Sequence, residues 1–200
     1  NGIIIDYSVQ QRRSSATPNE QDVGVAFYGT GLVRFEPGMA NLGGFSNEIR
    51  LMFRTLVSQG TLLYYINQAG SDLLAIELRN GIPYFVFDAG SGSAEVAPSV
   101  QSNVTFSDGQ WHSLVATLNG QVGSILVDSV YSGTGMSPGQ DSIISSSQRL
   151  SIGGIPSSSP ANTLGCGVTL SRTPFAGCVF GVTLNSEELD MTLSFFSEGV

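Results

Sequence analysis

Lysine is absent from the sequence, and all eight of its basic residues are arginine. Against them stand sixteen Asp and Glu, for a net charge of −8 at pH 7. Nucleic acids and heparin are bound by clustered cations that displace counterions, and the one local pair, Arg12-Arg13, is too small to carry that function. Charged residues of both signs make up only 12% of the chain, too few to decorate long surface helices. No run approaches the roughly 20 apolar residues that cross a bilayer, and the first residues lack the basic start and apolar core of a signal peptide. The chain is therefore expected to be soluble, without membrane insertion, and excised from something larger. Tryptophan and histidine occur once each, side by side at Trp111 and His112. A lone imidazole with no second His or Cys nearby is neither a metal site nor half of a catalytic dyad, so His112 is expected to be structural. Cysteine occurs twice, at Cys166 and Cys178. Their spacing fits neither a zinc ribbon nor a CxxC redox motif, but it allows a disulfide that closes a short loop.

What is present points to strands. Hydrophobic residues make up 41% of the 200, with 25 Gly and 8 Pro to punctuate them. A chain of 21.0 kDa is long enough for one sandwich with a sizeable core. Residues 31–35 alternate in period two, as do residues 48–54, where Ile49, Leu51 and Phe53 share one face. Residues 61–66, 72–78, 82–87, 111–118, 123–127, 150–152 and 178–184 continue the pattern. Asn80-Gly81 and Asn119-Gly120 read as hairpin turns. No sustained helical period occurs, and Ser186-Glu187-Glu188-Leu189 is expected to form at most a single helical turn. The sequence predicts an all-β protein, an antiparallel sandwich of two sheets. Residues 1–24 form a lead-in, with a strand at Ile3-Ile4-Ile5 and a polar loop, and belong to the same domain as the sandwich of residues 25–200. The stretch 129–160, rich in Ser and Gly, is the longest irregular segment expected, and long loops in a compact domain are often where binding happens. Asn103-Val104-Thr105 is a glycosylation sequon, meaningful in the secretory pathway.

Several stretches together resemble the laminin G-like family, also called the laminin, neurexin and sex-hormone-binding-globulin fold. They are Phe27-Tyr28-Gly29-Thr30-Gly31-Leu32-Val33-Arg34-Phe35, the strand at residues 48–54, and Gln59-Gly60-Thr61-Leu62-Leu63-Tyr64-Tyr65. Then follow Asp72-Leu73-Leu74-Ala75-Ile76-Glu77-Leu78-Arg79-Asn80-Gly81, Asp108-Gly109-Gln110-Trp111-His112-Ser113-Leu114, Ile152-Gly153-Gly154 and Phe175-Ala176-Gly177-Cys178-Val179. The match covers roughly residues 25–190. It implies a jelly-roll-like, concanavalin A-like sandwich, an extracellular location, and a loop rim that binds proteins or glycans and often carries calcium. It also makes Trp111 a core residue at a strand entrance. Carried onto this chain, the family's calcium positions fall at the side chain of Asp72, the backbone carbonyls of Ala89 and Ile143, and the side chain of Ser145. Ser145 departs from the pattern, which usually offers Asp or Asn; Asp141 is the nearby carboxylate that would compensate. Calcium takes six to eight hard oxygen ligands, with affinity that follows ligand charge, so binding is expected to be weak. Without a cation, Asp72 would serve only to cap a turn before its strand.

Catalysis finds little support. Carbohydrate hydrolases on curved sandwiches place two carboxylates across a glycosidic bond; the densest acidic cluster here, Glu187-Glu188-Leu189-Asp190, reads as a solvated turn. Gly90-Ser91-Gly92-Ser93 does not frame its serine as a nucleophile elbow does. The leading reading is a non-catalytic recognition module of a matrix or cell-surface adhesion protein that docks an extracellular or cell-surface protein. A calcium-dependent, lectin-like glycan binder and an architectural spacer are the alternatives. The cysteine reading is directly testable: non-reducing mass spectrometry of protein from an oxidising host should find neither thiol free. A loop this short implies roughly 2–3 kcal/mol of stabilisation, and two alkylated cysteines would reject the pairing.

Overall fold

Strand-forming alternation carries through to the structure, a computed structural model that describes residues 25–67, 71–146, 149–159, 169–191 and 194–198. The expected strand at Ile3-Ile4-Ile5 and one of the two cysteines, Cys166, lie outside the described residues. In chain order the strands are β1 (Val25–Tyr28), β2 (Gly31–Phe35), β3 (Ser46–Arg54), β4 (Gly60–Ile66), β5 (Asp72–Arg79), β6 (Ile82–Ala89) and β7 (Ser93–Val96). They continue with β8 (His112–Asn119), β9 (Val122–Val127), β10 (Tyr131–Met136), β11 (Arg149–Ile152), β12 (Ala176–Leu184), β13 (Glu187–Glu188) and β14 (Phe195–Glu198). One sheet runs β1-β12-β3-β8-β9-β10 with β13 paired to β12, and the other runs β14-β2-β11-β4-β5-β6-β7. All the strand pairings are antiparallel.

The first sheet keeps one face in the core and one toward water. On β3, Ile49, Leu51 and Phe53 are buried against the opposite sheet, while Glu48 and Arg50 pair on the outer face at 2.7 Å. Each such apolar side chain contributes about 1.5–3 kcal/mol by leaving water. The second sheet behaves differently. Every residue of β4 is buried, as are the first seven of β5, a pattern that requires cover on both faces. The cover comes from the chain after β11. Ile155 and Leu170 pack with Tyr64, Ile66, Leu73, Ala75 and Val86 in a second, smaller apolar cluster.

Polar atoms at the centre of β4 and β5 hold that cover. Thr61 donates its N–H to the Thr173 carbonyl at 3.1 Å and its hydroxyl to the Ser171 carbonyl at 2.9 Å. Ser171 in turn donates its N–H to Glu77 at 2.9 Å. Glu77 is fully buried, and its charge is met by Arg79 at 2.5 Å. The arginine also reaches Glu95 at 2.6 Å.

Turn chemistry sets the hairpins. Asn80 and Gly81 both have positive φ, 51° and 77°, the pairing that a two-residue type I′ turn needs. Gly120 has φ 60°, and it shares its turn with Gln121 rather than Asn119, which is the last residue of β8. Asn185 and Ser186, at φ 48° and 68°, close another tight hairpin in which Leu184 faces Glu187. The expected helical turn at Ser186-Glu187-Glu188-Leu189 is therefore a β-turn and a short strand. The stretch 129–160 is less irregular than its composition suggests, since it contains β10 as well as β11. The inward row of β10 is Tyr131, Gly133 and Gly135; a Cβ on Gly133 would sit 2.0 Å from the Ala97 carbonyl oxygen, so the glycine lets the opposite sheet close in.

Replacing Glu77 with Ala should cost about 3 kcal/mol, because it strips a buried ion pair and leaves the Ser171 N–H without its acceptor. Urea denaturation gives the loss, and faster hydrogen exchange at Ser171 than at core strands would locate it in the cover. Unchanged stability would mean that the cover is held by apolar contact alone.

Candidate functional site

One end of the sandwich gathers the connections that carry the expected metal ligands. Asp72 opens β5 and is directly paired with Ala89, the last residue of β6. Its side chain lies on the inter-sheet face, in the row continued by Leu74, Ile76 and Leu78, and is only 6% exposed. The loop after β10 crosses this end. Ser145 donates its N–H to Asp72 Oδ2 at 2.8 Å, and its hydroxyl also donates to the same oxygen. Ser71 donates its hydroxyl to Asp72 Oδ1 at 3.1 Å.

Asp141 reaches the same place. A Cβ built on Gly90 would stand 3.3 Å from Asp72 Oδ1 and 3.4 Å from Asp141 Oδ2, so both carboxylates flank a gap that exists because residue 90 has no side chain. The loop is pinned from three sides. Ser91 Oγ accepts the N–H groups of Gln140 and Asp141 at 3.1 and 3.0 Å. Gly44 and Ile144 exchange both backbone hydrogen bonds. The Tyr65 hydroxyl lies 2.9 Å from the Leu42 carbonyl and 3.2 Å from that of Ser145.

The electrostatics of this end are one-sided. Among the described residues neither Asp72 nor Asp141 has an ion-pair partner. A buried carboxylate without a counter-cation is a costly arrangement. No three His, Cys, Asp or Glu side chains converge as a metal cluster among the described residues, so a cation here would depend on two carboxylates supplemented by neutral oxygens. That donor set suits calcium and fits no soft metal. The residues that would hold it are Asp72 and Asp141, the Ala89 and Ile143 carbonyls, and the Ser145 hydroxyl, whose oxygen keeps lone pairs while it donates to Asp72.

In the turn before β5 it is Asn67, not Asp72, that accepts the Ser71 N–H, at 2.9 Å, while Asp88 caps the turn after β6. Asp88 Oδ1 accepts the N–H groups of Gly90 and Gly92 at 2.8 and 3.1 Å. The sequence reading also missed the apolar side chains at this end. Phe45, Val122, Met136 and Ile143 are all exposed, Phe45 and Ile143 by about 60%. They stand on the same rim: Gly120 donates its N–H to the Phe45 carbonyl, Met136 pairs with Val122, and Ile143 adjoins the Ile144 bridge to Gly44. The signal lay in Gly43-Gly44-Phe45, an aromatic residue set off by two glycines before the alternation of β3 begins.

The other singled-out residues lie elsewhere. His112 is buried and spends both ring nitrogens, at 2.8 Å from Asp128 and 3.0 Å from Asp108, between the rings of Phe53 and Phe106. The Gln110 N–H, and then His112, hold the Asp108 carboxyl below its ordinary value. Trp111 is not in the core: it is half-buried on the outer face of the first sheet. There the Arg54 guanidinium lies 5.1 Å from its ring centroid and Phe180 meets it edge-on. Register explains the change, since Phe53, facing the core, is opposite His112, and Trp111 must then point outward. Glu187 and Glu188 are exposed on their hairpin. Asn103 is exposed in a turn, which suits its sequon. Cys178 is half-buried on β12; the expected bond to Cys166 falls outside the described residues.

Comparison with known proteins bears on the whole of this architecture. Residues 53–187 match the family model of the Laminin G domain. Human usherin is 27% identical over 161 residues, 79% of this chain and 3% of usherin. Human pikachurin is 32% identical over 120 residues, 58% of this chain and 11% of pikachurin. The chain thus spans a small part of the curated relatives it matches. The mouse laminin alpha1 chain, domains LG4-5, superposes with a TM-score of 0.70 at 18% identity, over 95% of this chain and 51% of that structure, a likeness of fold. With two thirds of its residues matched to the family model and its strands arranged as in those laminin domains, this chain belongs to the Laminin G domain family.

Proposed function

We propose that this domain is a non-catalytic, extracellular recognition module that docks a protein partner on the loop rim around Asp72, with a weakly held calcium ion as part of the docking surface. The observation that carries the reading is the exposed apolar set Phe45, Val122, Met136 and Ile143 beside the unpaired Asp72 and Asp141. Apolar anchors around a polar centre are how specific protein interfaces gain most of their energy. The relatives include pikachurin, usherin and laminin chains, which supports an extracellular place in a matrix or adhesion protein. A sulfated glycan on this rim fits less well, because residues 129–147 carry no cation and the nearest carboxylates would repel it.

Calcium at about ten times its Kd should raise the melting temperature of the wild-type domain by about 3–6 °C. In Asp72→Ala the rise should vanish, and calorimetry at millimolar calcium checks the same point by heat. Absence of both signals in the wild type would show that Ser145 in place of an acidic ligand has abolished the site.

The double variant Phe45→Ser, Ile143→Ser should stay within about 0.5 kcal/mol of wild-type stability, as exposed substitutions do. It should nevertheless lose at least about tenfold in binding, the effect of removing one anchor pair. The measurement is recovery of cell-surface proteins on immobilised wild-type and variant domain, with and without chelator, beside retention on heparin. Salt-sensitive heparin retention with no protein recovered would replace this reading with the glycan-binding one.

A further inference from the structure

The cover on the second sheet forms a cleft of about 210 Å³ whose walls include Arg34, Glu36, Tyr64, Arg149, Pro156 and Ser159. Its floor is set by register across three neighbouring strands. Arg34 on β2 faces Ser151 on β11, and Ser151 faces Tyr64 on β4, so Arg34 and Tyr64 flank the small Ser151 on one outer row. Arg149 lies in the next row beside Ile66. The far wall is the turn at residues 156–159, closed by the Ser159 N–H to the Pro156 carbonyl. Arg172 fixes that turn from behind, donating to the carbonyls of Pro156 and Ser159, both at 3.2 Å.

Among the described residues two guanidinium groups in this cleft have no carboxylate partner. Arg50 and Arg79 have carboxylate partners, Arg54 lies over Trp111 and Arg172 holds the turn. Neither Arg34 nor Arg149 forms an ion pair among the described residues. Arg34 is half-buried, and its Nε is shielded from water with no hydrogen-bond partner among the described residues. Burial raises the pKa of the Tyr64 phenol, whose hydroxyl is hydrogen-bonded with Ser159, so this wall of the cleft is neutral. In a chain of net charge −8, the two arginines are a local reversal of sign.

We propose that this cleft receives the side-chain carboxylate of a single Asp or Glu from an otherwise uncharged peptide segment. A planar carboxylate matches the fork of an arginine, with Arg34 as the shielded partner and Arg149 as the exposed one. Pro156 offers apolar surface to the methylenes that carry the carboxylate. Glu36 and the overall negative charge act against a second anionic group, which disfavours polyanions bearing a charge on every unit. The site does not depend on the rim or on calcium.

The test is an amide-resolved NMR titration of the whole domain in chelator, so that its outcome is separate from any calcium-linked binding. The probes are a blocked Gly-Ser-Glu-Ser-Gly peptide, the same peptide with Gln for Glu, and a heparin tetrasaccharide. The glutamate peptide should saturate shifts at the amides of Arg34, Arg149 and Ser159 in the millimolar range, with the Gln peptide at least about tenfold weaker. Arg34→Ala and Arg149→Ala should each weaken binding several-fold; Arg149 is exposed, so its variant keeps the test valid if the Arg34 change unfolds the domain. Equal shifts from both peptides, or no shift from either at tens of millimolar, would overturn the proposal. Shifts at these amides from the tetrasaccharide alone would also overturn it, and would assign the cleft to a sulfated glycan.

Discussion

The carboxylate of Glu77 sits where three demands meet. β4 and β5 are apolar on both faces, so the sheet they form is stable in water only if something covers its outer side. The segment after β11 does so, yet it is irregular backbone with N–H and C=O groups of its own to satisfy. Glu77 and Thr61, buried at the sheet centre, take up those groups at Ser171 and Thr173. Removing either side chain would strip a hydrogen bond from Ser171 while the apolar contacts of Ile155 and Leu170 remain. The cleft at Arg34 exists for the same reason, because the strap that hides Ile66 and Leu73 also forms its far wall.

The rim obeys a different balance. Asp72 lies on the core side of β5, where an apolar residue would pack better, and the fold tolerates it by ringing its oxygens with donors from Ser71 and Ser145. Those donors soften the burial but supply no positive charge. The carboxylates of Asp72 and Asp141 thus have no counter-cation among the described residues, and the absence of a side chain at Gly90 leaves space beside both. β4 links the rim and the cleft through consecutive residues: Tyr65 supports the rim loop from the inner face, while Tyr64 lines the cleft on the outer one.

Much of the fold could be read because β3 announces itself by alternation, as Ile49, Leu51 and Phe53 show, and β4 and β5 by unbroken apolar runs, whereas the short β7 at Ser93–Val96 carried no such signal. β10 escaped notice since two of its inward positions, Gly133 and Gly135, owe their place to smallness rather than to hydrophobicity. The turn at Asn185-Ser186 escaped because Ser186 is an unusual residue for positive φ, and the acidic residues after it suit a helix start equally well. Trp111 was misplaced by one position of register, enough to move a side chain to the opposite face of a sheet. For the site, Asp72 was found through family resemblance, and Asp141 through its nearness in sequence to Ser145. The exposed apolar side chains of the rim left only the signal at Gly43-Gly44-Phe45, and the Arg34 cleft was beyond reach because its walls at Arg149, Pro156 and Ser159 come from a segment over a hundred residues away that meets Arg34 only through strand order.

Tyr131, Gly133 and Gly135 bring a consequence beyond packing. β10 ends its sheet, and the unpaired backbone of such a strand is an open template for any other strand it meets. Here Gly133 admits the chain after β7 so closely that the Ser99 N–H binds the Ser132 carbonyl at 2.9 Å, and the border strands of the two sheets blunt each other. The curated relatives are chains many times longer than this one. Neighbouring domains on one polypeptide meet at effective concentrations in the millimolar range, where an open border would recruit a neighbour's strand. The two glycines thus close a border at which another strand would otherwise add.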